Sequence, residues 1–120
     1  MPSMSRDRRK RPIFSYEEAL ATFPHVRDVT REAVCRLEAL INTVQSRDEM
    51  LARREEIEEA CQLIQEDWER RIRSLGCDVE GRWLVEWDCG DGYYCWRFPE
   101  PALAFFHAYD ESFAERLPIQ

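Results

Sequence analysis

The spacing of apolar residues divides the chain into a helical part followed by a part made of strands. From His25 to Leu75 no glycine or proline occurs, and apolar residues recur every three or four positions, as on one face of a helix. In the first half this apolar stripe consists of Val26, Val29, Ala33, Leu37, Leu40 and Val44. In the second half it consists of Met50, Ile57, Cys61, Ile64, Trp68, Ile72 and Leu75. The region is therefore predicted to be amphipathic helix.

The two stripes are out of phase by about one residue, or ~100° around a helix. The change falls between Gln45 and Glu49, where Ser46 and Glu49 have the spacing of a capping box. This predicts two helices that meet in a tight turn near Ser46 and pack antiparallel as a helical hairpin. One continuous helix of ~75 Å is the alternative, and it would need a partner chain in a coiled coil to cover its stripe.

A second capping box, formed by Ser15 and Glu18, marks the start of the first helix. That helix is predicted to end before Pro24, because proline lacks the N–H and clashes with the preceding turn. A new helix can begin at Pro24 itself, since proline is favoured at the first helical position. Gly76 ends the last helix, as glycine does at the C′ position. The predicted helices span residues of about 16–22, 24–45 and 47–75.

After Gly76 the apolar spacing changes to two, which is the period of a strand. A turn at Gly90 and Asp91 predicts a hairpin, because glycine supplies the positive φ that such turns need. With a two-residue loop there, the opposed pairs would be Trp87 with Tyr94, Val85 with Trp96 and Trp83 with Phe98, which together make one aromatic face. The other face would carry Leu84, Glu86, Cys95 and Arg97.

These patterns predict an α+β fold. A long antiparallel helical hairpin is followed by a C-terminal three-stranded antiparallel β-meander, with strands at about 82–89, 93–98 and 102–109. The length of 120 residues suits a single domain, expected at residues 13–120.

The charge is unevenly distributed along the chain. Residues 1–12 hold five cations against Asp7, a local charge of +4, so the total of −7 leaves −11 for the remainder. The basic arm is predicted to be disordered; it could also contact RNA, an acidic partner or its own acidic body. An acidic body argues against general nucleic-acid binding, which needs a basic face. With no apolar segment after the arm and no long apolar run, a cytoplasmic protein without a membrane span is expected.

The five cysteines are odd in number and widely spaced, and no Cys-x-x-Cys pair occurs. A disulfide framework and a zinc knuckle are therefore disfavoured, and free thiols that pack as small apolar residues are expected.

Over nearly its whole predicted ordered part, and most specifically in its C-terminal part, the chain resembles a small prokaryotic family catalogued as domain of unknown function 2203. The residues that carry the resemblance are Phe14, Ser15, Glu18, Ala19, Pro24, Leu84, Val85, Cys95, Trp96, Glu100, Pro101, His107, Phe113, Arg116 and Pro118. Pro99 stands where that family usually has glycine, and Ala102 and Ala108 stand where carboxylates are common. The resemblance implies no activity.

A candidate functional cluster consists of Glu18, Glu100, His107 and Arg116. Histidine and carboxylates can bind a divalent metal or exchange a proton, so His107 with Glu100 is a candidate metal pair and Glu18 a third donor. Each residue also has a purely structural interpretation. Glu18 caps a helix, Glu100 caps turn N–H groups, His107 is buried in a strand, and Arg116 ties down the tail.

Two function classes follow, and enzymatic activity is left open. The first is a structural or protein-interaction module that forms a homodimer, because the helical stripes look too long for one small sheet to cover. Trp68, Trp83 and Trp96 are candidate interface residues for such a module, with core packing as the alternative. The second class is a metal-binding protein or metal-dependent enzyme centred on His107 with Glu100 and Glu18.

Overall fold

The computed structural model describes residues 12–120. Of the predicted basic arm, residues 1–11 lie outside the described residues. Within the described part, helices come first and a sheet follows. In chain order the elements are α1 (Tyr16–Ile41), α2 (Arg47–Ala52), α3 (Arg54–Ser74), β1 (Asp78–Gly81), β2 (Leu84–Asp88), β3 (Gly92–Arg97), β4 (Phe105–Ala108), a 3-10 helix (Phe113–Glu115) and β5 (Leu117–Pro118). No helix of the described chain is long and apolar enough to cross a membrane.

The α+β class and the helical hairpin are confirmed. Three side-chain pairs join α1 to α3 in antiparallel order: Arg36 with Asp67, Glu32 with Arg71, and Thr30 with Trp68. At the turn, the hydroxyl of Ser46 accepts a hydrogen bond from the N–H of Glu49, as the capping box predicts. The apolar stripes of the two helices therefore cover each other as well as the sheet.

The predicted helix break at Pro24 is wrong, because residues 16–41 form one helix with Pro24 inside it. Because Pro24 has no N–H, the carbonyl of Leu20 lacks its usual helical hydrogen bond. Leu20 is exposed, so solvent can replace that bond. Phe23 and Val26, on either side of the proline, are buried in the core and hold the chain in the helical path. The predicted third helix is likewise interrupted, at Arg53 between α2 and α3.

The sheet has five antiparallel strands in the order β1-β2-β3-β4-β5, not three. β1 has a single large apolar residue, Val79, and is ordered by pairing with Val85 of β2. β5 is a two-residue edge strand that pairs with β4, and its Pro118 is tolerated because an edge strand needs no further partner. Neither strand shows an alternating apolar pattern, so neither was predicted.

The central hairpin has the predicted register, with Trp87 opposite Tyr94 and Val85 opposite Trp96. These residues form the helix-facing side of the sheet, where the ring of Phe23 lies 5.3 Å from that of Trp96. Three buried indole N–H groups each find an acceptor at 2.8 Å: Trp68 bonds Thr30 Oγ1, Trp87 bonds Thr22 Oγ1, and Trp96 bonds the carbonyl of Glu100. The bonds of Trp68 and Trp87 align α3 and the sheet against α1, because a buried N–H without an acceptor would be costly.

The turn between β1 and β2 contains a backbone outlier. Trp83 has φ = +62°, in the left-handed region that side chains with a Cβ rarely adopt. Its ring packs edge-on against that of Trp68, with the centroids 4.9 Å apart. Packing against α3 therefore holds Trp83 in a conformation that its backbone disfavours.

Candidate functional site

The side of the sheet that faces away from the helices carries polar residues that are nevertheless buried. Glu86 on β2 and His107 on β4 lie on this side, together with Cys95 and Phe105. Glu86 is 2% exposed and His107 is 3% exposed. Residues 109–116 pack over this side, with Phe113 against Arg97 and Arg116 against Phe105, and that cover explains why a carboxylate and an imidazole are buried on it.

Glu86 and His107 form a hydrogen bond of 2.6 Å between Oε2 and Nε2. The other ring nitrogen, Nδ1, lies 2.9 Å from the carbonyl oxygen of Ala108. A carbonyl oxygen only accepts, so Nδ1 carries a proton and donates it. The short bond between Nε2 and Oε2 must then contain a second proton, held by one residue or the other. The two side chains therefore share one proton.

Burial and hydrogen bonding both act on this pair. Burial raises the pKa of Glu86 above its ordinary value, against the opposing effect of His107. Burial also works to lower the pKa of His107, but the bonds to Ala108 and Glu86 outweigh it and leave that pKa raised. Both effects favour keeping the shared proton on the pair.

The pair lies at the floor of an open pocket with a volume of about 540 Å³. Its walls come from the β1–β2 turn, the end of β3 and the C-terminal segment. The lining residues are Glu80, Gly81, Arg82, Leu84, Glu86, Tyr93, Arg97, His107, Tyr109, Glu111, Ser112 and Phe113. The volume falls in the range of small-molecule sites.

Ring contacts and hydrogen bonds fix one wall of this pocket. The ring of Tyr93 lies 5.6 Å from that of His107 and 5.3 Å from that of Tyr109. The hydroxyl of Tyr109 donates to Asp88 Oδ1 over 2.5 Å, and this bond raises the pKa of Tyr109 to about 12. Glu111 accepts the N–H of Ala108 over 2.8 Å. The pocket is thus built on side chains whose positions are already set.

Glu100 and Arg116, both predicted site residues, form a separate ion pair. The guanidinium donates to both carboxylate oxygens of Glu100, and it lies about 4 Å from the ring centres of Phe105 and Phe113. Burial works to raise the pKa of Glu100, but the bonds from Arg116 and from the N–H of Arg97 hold it below the ordinary value. This pair clamps the C-terminal segment onto the sheet, and neither residue lines the pocket.

Glu18 lies in the first turn of α1, where it accepts the N–H of Ser15 over 2.8 Å and completes the predicted capping box. α1 packs on the opposite side of the sheet, so the fold does not bring Glu18 to His107. Among residues 12–120, no group of three or more His, Cys, Asp and Glu side chains is arranged to hold a metal ion. The metal pair of His107 and Glu100 stays a prediction.

The candidate interface residues differ in exposure. Trp68 and Trp96 lie in the core, at 1% and 0% exposed, and Trp83 is half-buried against Trp68. All five cysteines are free thiols, and burial raises the pKa of Cys77 to about 12 and that of Cys95 to about 11. Those two thiols are poor nucleophiles, because the thiolate form is suppressed.

Glu86 is the site residue that sequence reasoning missed. The predicted register already places it on the same side as Cys95, but no role is assigned to it from the sequence. One signal in the sequence does point to a buried Glu86. This acid lies between Val85 and Trp87 in a strand that is flanked by other strands on both sides. A carboxylate in such a strand requires a buried partner.

Comparison with known proteins yields a family and no activity. A family model described as "Uncharacterized conserved protein (DUF2203)" matches residues 12–119. No curated protein matches the chain, and no solved structure matches it.

Proposed function

Because the chain belongs to the uncharacterised DUF2203 family, its role has to be inferred from its site, and we propose that it binds a small polar molecule and exchanges a proton with it. The proposed site is the pocket over Glu86 and His107. The observation that carries this proposal is the 2.6 Å bond between these two buried side chains at the floor of an open pocket. Perturbed pKa values inside a cleft are typical of functional sites.

A purely structural role explains this pair poorly. Removing two ionisable groups from water is costly, and apolar residues of similar volume often stabilise a fold as well or better. The surrounding positions, such as Leu84, Cys95 and Phe105, show that this side of the sheet already accepts apolar side chains. Apolar side chains could stabilise this part of the fold, so the presence of a proton-sharing pair suggests that the pair has a chemical role.

The roles within the pair follow from its hydrogen bonds. Both nitrogens of His107 are engaged, one with Ala108 and one with Glu86. The carboxyl group of Glu86, with its second oxygen, is therefore the group that would touch the ligand. His107 would act as a positioning residue that supplies or takes up the shared proton, which keeps Glu86 ready to act as an acid or a base.

A library of small polar compounds, screened by ligand-observed NMR, tests this proposal. Glu86→Gln keeps a hydrogen bond to His107 but removes the shared proton, and Glu55→Gln on the exposed side of α3 serves as the control. We expect compounds that bind the wild type and the control but lose affinity for Glu86→Gln. Calorimetry in buffers of different ionisation enthalpy should show proton exchange upon binding. Compounds that bind Glu86→Gln unchanged, or a library without any binder, would contradict the proposal.

A second proposal concerns oligomeric state: the helical hairpin pairs with the hairpin of another copy. It is supported by the exposed aliphatic residues Leu51 and Leu63, at 60% and 62%, on α2 and α3. Sedimentation velocity over a range of concentrations tests it, with Leu63→Gln as the disrupting variant and Leu117→Gln, also exposed but on the sheet, as the control. A monomer at every concentration would end this proposal.

The metal-binding alternative from the sequence, centred on His107 with Glu100 and Glu18, is kept as a third proposal. Its support is that His107 has a carboxylate in contact, although that carboxylate belongs to Glu86. Elemental analysis of untagged, unchelated protein tests it. About one metal ion per chain, lost in His107→Ala, would favour it, and metal-free protein with intact ligand binding would rule it out.

A further inference from the structure

We infer that Arg82 and Arg97 form an anion-binding end of the pocket, which takes the carboxylate or phosphate group of a small ligand. This inference rests on the proposed function, because the rest of that ligand would reach Glu86. Both arginines line the pocket, and both lie at the same end of the strands, where β2 begins and β3 ends. The argument depends on their ion pairing, their place in the register and the charges around them.

Most arginines in residues 12–120 are paired with a carboxylate. These paired residues are Arg27, Arg31, Arg36, Arg53, Arg54, Arg70, Arg71, Arg73 and Arg116. Within the described range, Arg47, Arg82 and Arg97 have no carboxylate oxygen within 4 Å. Two of these three line the same pocket, in a chain whose excess of acids offers partners almost everywhere. Two guanidinium groups without a carboxylate in contact favour an external anion, although the charge of Arg97 also acts on Glu100.

The register sets the distance from these arginines to the buried pair. Leu84 on β2 is opposite Arg97 on β3, and Gly81, next to Arg82, is opposite Leu84 as well. Glu86 lies two residues further along β2, or ~7 Å at the usual rise per residue of a strand. A ligand with an anionic group at one end and a polar group ~7 Å away would therefore span the pocket.

The acidic residues of the pocket do not cancel this preference. Glu86 shares its proton with His107, and Glu111 keeps its negative charge beside His107, where it helps to raise the pKa of that residue. Glu80, which is exposed, is the remaining pocket carboxylate without a hydrogen bond in the described structure. We therefore expect Glu80→Gln to tighten anion binding.

The ring of Phe113 helps to orient one guanidinium. It lies 5.9 Å from the central carbon of the Arg97 guanidinium, within the range of a cation–π contact. Because a guanidinium presents its donors in a planar fork, it matches the paired oxygens of a carboxylate or phosphate. Phe113 is itself fixed by Arg116, so the clamp on the C-terminal segment also supports the anion-binding end.

Titration with inorganic phosphate and with succinate, followed by NMR, tests this inference. The variants are Arg82→Gln and Arg97→Gln, and the matched control is Arg47→Gln, which removes an unpaired arginine on α2 away from the pocket. Saturable binding is expected, with affinity about tenfold lower in each pocket variant and unchanged in the control. Weak binding that Arg47→Gln reduces equally, or no saturable binding, would overturn the inference.

Glu86→Gln separates this inference from the proposed function. Phosphate that binds wild type and Glu86→Gln equally, but requires Arg82 and Arg97, would support the anion site even if no proton exchange is found. Compounds that require Glu86 but bind Arg82→Gln and Arg97→Gln unchanged would overturn the anion site and leave the acid–base proposal intact.

Discussion

The indole N–H of Trp68 on α3 donates to the hydroxyl of Thr30 on α1, and the two atoms are 2.8 Å apart. Thr30 in turn donates to the carbonyl of Val26, also over 2.8 Å. Trp87 repeats the arrangement with Thr22, which donates to the carbonyl of Ala19. Two threonines of one helix thus bind an indole each, one from α3 and one from the sheet.

Thr30→Val should destabilise the fold by about 1–3 kcal/mol, because it leaves the buried indole N–H of Trp68 without an acceptor while hardly changing the side-chain volume. The free energy of unfolding from urea denaturation measures the effect. Thr43→Val is the control, since that exposed hydroxyl bonds a carbonyl in the same way but lies outside the core. Equal losses in the two variants would refute the role of the indole bond.

Trp83 allows backbone strain to be separated from packing. Both Trp83→Gly and Trp83→Ala lose the ring contact with Trp68, but glycine accepts φ = +62° without a steric penalty. Trp83→Gly should therefore be more stable than Trp83→Ala by about 1 kcal/mol. At exposed Leu63 inside α3 the order should reverse, with alanine more stable than glycine by about 1 kcal/mol. Thermal or urea unfolding of the glycine and alanine variants at Trp83 and at Leu63 measures both differences in stability.

The stability of the protein should fall as pH rises above neutrality, because the pKa of His107 is raised in the folded state. Its contribution is fully present below the ordinary histidine pKa of 6.5 and is lost as pH rises through the folded value. In Glu86→Gln the carboxylate is gone, so the pKa of His107 falls and this dependence should weaken. The free energy of unfolding at pH 6 and at pH 9 measures this dependence in the wild type and in Glu86→Gln. Equal changes with pH in the two proteins would show that the pair does not hold the proton.

Arg116→Lys should loosen the C-terminal segment while leaving the core intact. Lysine cannot donate to both oxygens of Glu100 or stack in the same way between Phe105 and Phe113. The amide of Ile119, which bonds the carbonyl of Ala104, should exchange its hydrogen about tenfold faster. Arg54→Lys, which alters an exposed helical pair, is the control and should not affect this amide. Unchanged exchange in Arg116→Lys would contradict the clamp.

The parts of the fold that the sequence predicted are those with local signals. Gly90 and Asp91 define a tight turn, so the opposition of Trp87 and Tyr94 could be counted outward from it. The capping residues Ser15 and Ser46 likewise bind backbone N–H groups within four positions in the sequence. Pro24 misled the prediction, because burial of its neighbours overrides the local preference to break a helix.

The candidate site was predicted only in part, since it depends on pairing between strands that are distant in sequence. His107 was identified, but its partner Glu86 is 21 residues away and meets it across β3. The sequence groups Glu100 with His107 because an imidazole and a carboxylate can bind a metal or exchange a proton, and it adds Arg116 as a residue of the same C-terminal region. In the fold, Glu100 and Arg116 form the clamp, whereas His107 lies in the pocket. This separation depends on the register of the five strands, which the sequence alone does not give.

None of the described side chains that line the pocket is a tryptophan. Trp87 and Trp96 lie on the side that packs against the helices, whereas Tyr93 and Tyr109 stand beside the pocket. Tryptophan emission should therefore report when the helices separate from the sheet. Tyrosine absorption should change when the pocket is occupied, against a constant contribution from Tyr16 and Tyr94 on the helix-facing side. An unmodified chain thus provides an optical signal for each event.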